Sequence, residues 1–295
     1  MNRTAASRPT PIITLISDAC RNVLADRAKL PTMPDVAARI HGAMTSPNWS
    51  IRAVSTIIKG DPGTTTYVLK AANSALYSRS APIRDVDRAV AWLGMDNTRS
   101  LVIAHAVRSM FVTRSQMLGG LMRRTWRTSA RLAASSAVLA RHCPRFPPEK
   151  ALLAGLLQDI GVLPILTVLK RYQDQLTDEE RVMNAIDKYA AQVGMVLLKH
   201  WDFEPELVEV ARSRCDWRRD EAPAAKLADL VLVARLHDRF VQGKADGLPR
   251  LDETPAFAKL PLEALRDDSS LEILHAEEDA VAEVMRDLGG DDAAP

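Results

Sequence analysis

The residues with the most chemical promise stand at the end of an apolar run. Ala151-Leu152-Leu153-Ala154-Gly155-Leu156-Leu157 leads into Gln158-Asp159-Ile160-Gly161. A carboxylate at the end of such a helix can ligate a metal, and a neutral imidazole beside it would make a good ligand pair. Here the neighbour is Gln158, whose carboxamide oxygen is a poor ligand for a transition metal. Metal chemistry needs three or more His or carboxylate groups to converge. The histidines (His41, His105, His142, His200, His237 and His275) include no two that lie three or four residues apart, so no helix face presents an imidazole pair. His237-Asp238 is a His-Asp dipeptide without the Gly-Leu-Leu lead or the Ile-Gly exit, and it reads as ordinary helix surface. Asp159 also has a plain structural role open to it, capping the helix beyond Gly161. No Gly-rich phosphate loop, GxSxG elbow or HExxH motif occurs.

Two basic groups could hold anions. In Arg123-Arg124-Thr125-Trp126-Arg127-Thr128-Ser129-Ala130-Arg131, residues Arg124, Thr128 and Arg131 share one helix face. The second group is Arg212, Arg214, Arg218 and Arg219 around Trp217. Acidic residues are interleaved there, so it reads as a surface loop with local ion pairs.

Helices must position these groups. Apolar spacing, with Pro and Gly as punctuation, predicts helices at about 12–28, 35–46, 50–59, 62–73, 85–93, 95–112 and 116–142. Further helices are expected at 149–158, resuming after Gly161 to Lys170, then at 185–200, 205–214 and 223–242. Strand signals are nearly absent. Ser50 and Asp61 are expected N-caps, and Pro47, Gly60 and Gly94 mark ends. Gln242–Pro261 reads as a linker. Beyond it an amphipathic helix is expected from Ser270 to about Leu288, with Leu271, Leu274, Val281, Met285 and Leu288 on its apolar side.

The 295 residues are 47% hydrophobic and 26% charged, in the range of a globular protein. No uninterrupted apolar run reaches the ~20 residues of a membrane span, and no signal peptide is read. Cys20, Cys143 and Cys215 show no CxxC spacing, so buried reduced thiols and a cytoplasmic location are expected. Net charge is +2, but residues 246–295 carry −10 and the rest +12. The small total argues against general nucleic-acid binding.

Leu30-Pro31-Thr32-Met33-Pro34, Asp61-Pro62, Leu69-Lys70-Ala71-Ala72-Asn73-Ser74-Ala75-Leu76-Tyr77 and Ala89-Val90-Ala91-Trp92-Leu93-Gly94 occur in that order before the 151–161 block. In order and spacing, these segments resemble an HDOD domain, the HD-related output domain of bacterial signalling proteins, over roughly residues 20–240. The 151–161 block itself resembles the heart of an HD-type metallohydrolase. The resemblance implies an all-α, two-lobed fold: an N-terminal helical lobe (1–115), an HD-phosphohydrolase-like lobe (116–242), and an acidic linker with a C-terminal helix (243–295). It also implies ligand positions. Thr128 stands where the pattern has a first His, Gln158 where it has the His of the central pair, and Ala190 where it has a later one. Only Asp159 keeps a ligating side chain. His200, before Trp201, could lie near this vestigial site. Asn73 reads as structural, bonding free backbone groups at a turn.

These readings point to a non-enzymatic, cytoplasmic signalling module without cofactor, acting on other signalling proteins. The first alternative is a sensor in which Arg124 and Arg131, one turn either side of Thr128, hold a nucleotide or other phosphate-bearing ligand in the vacated cavity. The second is a metal-dependent phosphohydrolase with a rearranged site. The acidic C-terminal helix is expected either to pack on the basic body or to form a homodimer.

Overall fold

The computed structural model describes residues 12–25, 30–45, 50–74, 77, 81–113, 115–176, 178–262 and 270–290. The described residues are helical, without a strand. The first six helices are α1 (Ile12–Ala25), α2 (Asp35–Thr45), α3 (Ile51–Lys59), α4 (Pro62–Ala72), α5 (Val86–Leu93) and α6 (Met95–Met110). The next six are α7 (Gln116–Arg141), α8 (Pro148–Leu157), α9 (Val162–Leu169), α10 (Glu179–His200), α11 (Pro205–Arg212) and α12 (Leu227–Val241). Last come α13 (Pro255–Ala258), α14 (Glu272–Ala276) and α15 (Glu278–Asp287).

Local chemistry sets the starts. Ser50 accepts from the Ala53 N–H, Asp61 from Thr64, Asp85 from Arg88 and Asp178 from Arg181. Each side chain satisfies one of the N–H groups that a helix start leaves free. Asp178 therefore starts α10 six residues earlier than apolar periodicity alone suggests. Gly94 links α5 to α6 at φ +79°, a left-handed conformation that favours glycine. The expected stop at Pro47 lies outside the described residues.

Two cores form. Ile40, Val54, Ile58, Val68, Val90 and Val102 anchor the smaller one, built by α2–α6. The larger one joins α1 and α7–α12 to the C-terminal segment. α6 serves both, with Leu101 and Val102 on one side and Ile103 and Val107 on the other. The cores depart from the expected sequential boundary, because α1 packs on α9 and α10 of the larger lobe. Arg99 ties the lobes together, with an ion pair to Glu204 at 2.6 Å and a hydrogen bond to His41 Nδ1 at 2.9 Å.

Asn73 fastens the end of α4. Its Nδ2 donates to the Leu69 and Ile83 carbonyls at 2.7 and 2.8 Å, and its Oδ1 accepts from the Ile83 N–H at 2.7 Å. Asn73→Ala is expected to cost about 1–2 kcal/mol, with the loss measured by urea denaturation. An unchanged midpoint would show that these bonds carry no net stability.

Three expectations change. The segment Pro148–Asp174 is long and apolar enough to cross a membrane by length and composition, with its apolar window 89% buried inside the protein. Its apolarity is accounted for by the core, and it breaks into α8, a turn at 158–161, and α9. The presumed linker is packed: Leu251 and Ala256 are fully buried, and α13 rests on α12. The C-terminal helix is two helices, split at Glu277. Leu271, Leu274, Val284, Met285 and Leu288 are buried, Val281 only partly, and α15 lies along α7.

Candidate functional site: a carboxylate held between two arginines

The turn after α8 carries Gln158 and Asp159 into the interior, 1% and 3% exposed. A carboxylate so enclosed must find a countercharge. Two guanidinium groups supply it. Arg214, just past α11, donates from Nε to Asp159 Oδ1 at 2.7 Å, and its Nη2 lies 2.5 Å from the same oxygen. Arg235, in the middle of α12, places Nη1 at 2.9 Å from both Asp159 oxygens and 3.0 Å from Gln158 Oε1. All three charged side chains are at most 4% exposed. Burial alone would push the Asp159 carboxyl up; the charges and hydrogen bonds of Arg214 and Arg235 outweigh it and hold the group far below the usual carboxylate range. Burial would likewise weaken the Arg235 cation, and Asp159 more than reverses that.

The ion network continues outward. Arg214 reaches Asp187 of α10 at 3.1 Å, and Asp187 also meets Arg239 at 3.7 Å. Asp238 pairs with Arg131 of α7. Arg124 pairs with Glu179 at 2.9 Å. All of these side chains except Glu179 border a cavity of about 380 Å³ lined from α7, α10 and α12. Arg124, Thr128 and Arg131 all line it, so the shared helix face inferred from their spacing is one wall of the cavity. Thr128, Asp159 and the two arginines of α7 therefore meet.

Ala190 does not join them. It is fully buried on α10, its carbonyl against Gly161: a Cβ added at Gly161 would fall 2.0 Å from the Ala190 oxygen and 2.4 Å from the Gly194 nitrogen. Asp187, one turn earlier, faces the cavity instead. His200 is exposed at the end of α10 and is not a lining residue. His237-Asp238 is not helix surface. Both are buried; His237 Nδ1 accepts from the Leu271 N–H at 2.9 Å and so tethers the C-terminal segment, while Asp238 lines the cavity. The second basic group is only partly a surface loop: Arg212 and Arg218 are exposed, and Arg212 pairs with Glu221, but Arg214 and Arg219 are buried. Arg219 is buried against Glu209 at 2.5 Å and Asp229 at 3.2 Å, and Arg214 is the partner of Asp159. Of the cysteines, Cys20 and Cys143 are buried, where desolvation pushes their thiols up to about 12 and 11. Cys215 is exposed, contrary to expectation.

A metal, as the HD-type resemblance implies, does not fit this donor set. Both Asp159 oxygens and the Gln158 oxygen already accept from guanidinium groups, and two cations occupy the space a third would need. Among the described residues no group of three or more His, Cys, Asp or Glu side chains is arranged to hold a metal ion.

Arg235 and Arg214 are the residues that sequence reasoning missed. Arg235 stands alone in Leu230-Val231-Leu232-Val233-Ala234-Arg235-Leu236. A lone arginine in an apolar stretch, in a chain with a lone carboxylate in another, was the available signal.

Comparison with known proteins agrees with this fold. The chain is similar to the "putative metal-dependent phosphohydrolase" of Shewanella amazonensis SB2B at 24% identity and TM-score 0.75, over 93% of this chain and 99% of that one. It is similar to an HDOD domain protein with unknown function from Geobacter sulfurreducens at 21% identity and TM-score 0.66, over 93% and 97%. It is also similar to a "putative signal transduction protein" of Marinobacter aquaeolei VT8 at 20% identity and TM-score 0.63, over 94% of this chain and 66% of that one. At these identities the likeness concerns the fold. A search of curated proteins finds no match. The family model for the HDOD domain matches residues 30–216, well over half of the sequence, and the chain belongs to the HDOD domain family.

Proposed function

We propose that this protein is a non-catalytic signal-transduction module of the bacterial cytoplasm that acts by binding other proteins. The observation that carries the reading is the Arg214–Asp159–Arg235 triad. Its carboxylate is the one residue of the vestigial HD pattern with a ligating side chain, and it is fully engaged by two fixed cations. The helical bundle then serves as architecture for contacts with partners. The family, and a similar fold in the Marinobacter protein named for signal transduction, support a signalling role.

Turnover of p-nitrophenyl phosphate and bis(p-nitrophenyl) phosphate by the full chain, with added Mn²⁺, Fe²⁺ or Mg²⁺, tests the reading. The expected rate equals that of buffer with metal. Metal-dependent turnover that Asp159→Ala abolishes would overturn it.

A further inference from the structure

We propose that the cavity above the Asp159 triad binds a small phosphate monoester of about mononucleotide size. The inference stands apart from the partner-binding reading, since such a module can work with or without a ligand.

Three observations carry it. First, the lining has a charge surplus. Arg124, Arg131, Arg214, Arg235, Arg239 and Lys244 face four carboxylates: Asp159, Glu180, Asp187 and Asp238. Glu179, beside the lining, takes Arg124 at 2.9 Å, so one positive charge is left over, a balance that favours an anion such as a phosphate monoester, roughly −1.5 to −2 at pH 7. Second, donors remain unspent on two lining residues. Arg235 is only 4% exposed, and its Nε has no hydrogen-bond partner among the described residues. A buried N–H left without an acceptor is costly, and a phosphate oxygen is a strong acceptor. At the rim, the Lys244 ammonium takes no carboxylate among the described residues, and Arg239 meets Asp187 only at 3.7 Å. Third, the size is selective. About 380 Å³ lies at the small end of the roughly 300–1,000 Å³ of ligand pockets. The Thr128 hydroxyl and Asn184 amide on the walls offer further polar contacts for the body of the ligand.

Calorimetric titration of the full chain at low ionic strength, with AMP and inorganic phosphate as probes, tests the assignment. The expected result is saturable binding of one AMP per chain, tighter than inorganic phosphate. Arg239→Ala and Lys244→Ala should each weaken AMP by about tenfold or more, the loss expected for one charge-assisted hydrogen bond. Both side chains lie outside the buried triad, so unligated thermal midpoints should stay near the parent value and report that the variants fold. Lys59→Ala, in the other lobe beside Asp87, should leave binding unchanged. No binding of either probe, or affinity unchanged in both cavity variants, would overturn the proposal. Inorganic phosphate binding as tightly as AMP would overturn the assignment to an ester.

Discussion

Asp159→Ala is expected to lower the unfolding free energy by about 3–5 kcal/mol, the range for removing one partner of a buried ion pair. The cost comes from what is left behind. Arg214 and Arg235 would remain 2% and 4% exposed without their shared carboxylate, Arg214 left with Asp187 alone as counter-ion and Arg235 with only the neutral Gln158 oxygen. Replacing the whole triad separates this cost from any net worth of the interaction. A combined Asp159→Leu, Arg214→Met, Arg235→Met variant should lose much less than Asp159→Ala alone, because no buried charge remains unpaired. Urea denaturation of the three proteins reads both effects. A combined variant less stable than the single one would show that the triad is a large net stabiliser. The pH dependence has a definite sign. A carboxyl whose folded pKa is depressed contributes stability above its unfolded pKa, near ~3.9, and loses it as pH falls through the folded value. Asp159 is held far below the usual range, so its contribution should survive mild acid and fade only in strong acid.

Gly161→Val is expected to cost about 3 kcal/mol or more, at the upper end of overpacking effects. The atoms a new Cβ would strike are backbone atoms of α10, the Ala190 carbonyl oxygen and the Gly194 nitrogen, which cannot rotate aside. The helix would have to withdraw. Asp187 lies one turn before Ala190, so withdrawal would also pull at its contact with Arg214. Gly194→Ala provides the comparison. Its Cβ would meet Gly161 nitrogen at 3.3 Å and the Ala211 Cβ at 3.4 Å, distances that need only small adjustments. Thermal unfolding should therefore rank Gly161→Val well below Gly194→Ala. Equal midpoints would mean that the crossing of the 158–161 turn over α10 is looser than described.

Much of the architecture is visible in the sequence because helix signals are local. Caps at Ser50 and Asp61, the stop at Gly60 and the bond of Asn73 to the Leu69 carbonyl each depend on residues within a few positions. The C-terminal helix is expected as one, with Glu278 interrupting its apolar seam; it divides next to that residue, at Glu277, and both halves contact α7. The site was half visible. The Arg124–Thr128–Arg131 face follows from helical spacing alone. The partners of Asp159 do not, because Arg214 and Arg235 lie 55 and 76 residues away and only the fold brings them to one point. Charge patterning also misled at 212–219, where interleaved acids suggested a solvated loop. Arg212 and Arg218 are indeed exposed, whereas Arg219 is buried with Glu209 and Asp229, and Arg214 with Asp159.

The most direct test is the metal content of the full chain. The protein would be incubated with Mn²⁺, Fe²⁺ or Zn²⁺, passed through a desalting column, and assayed by plasma mass spectrometry. If guanidinium groups have taken the place of the ion, far less than one metal per chain should be retained, and Asp159→Ala should not change the amount. Retention of one or two ions per chain, lost in Asp159→Ala, would contradict the account.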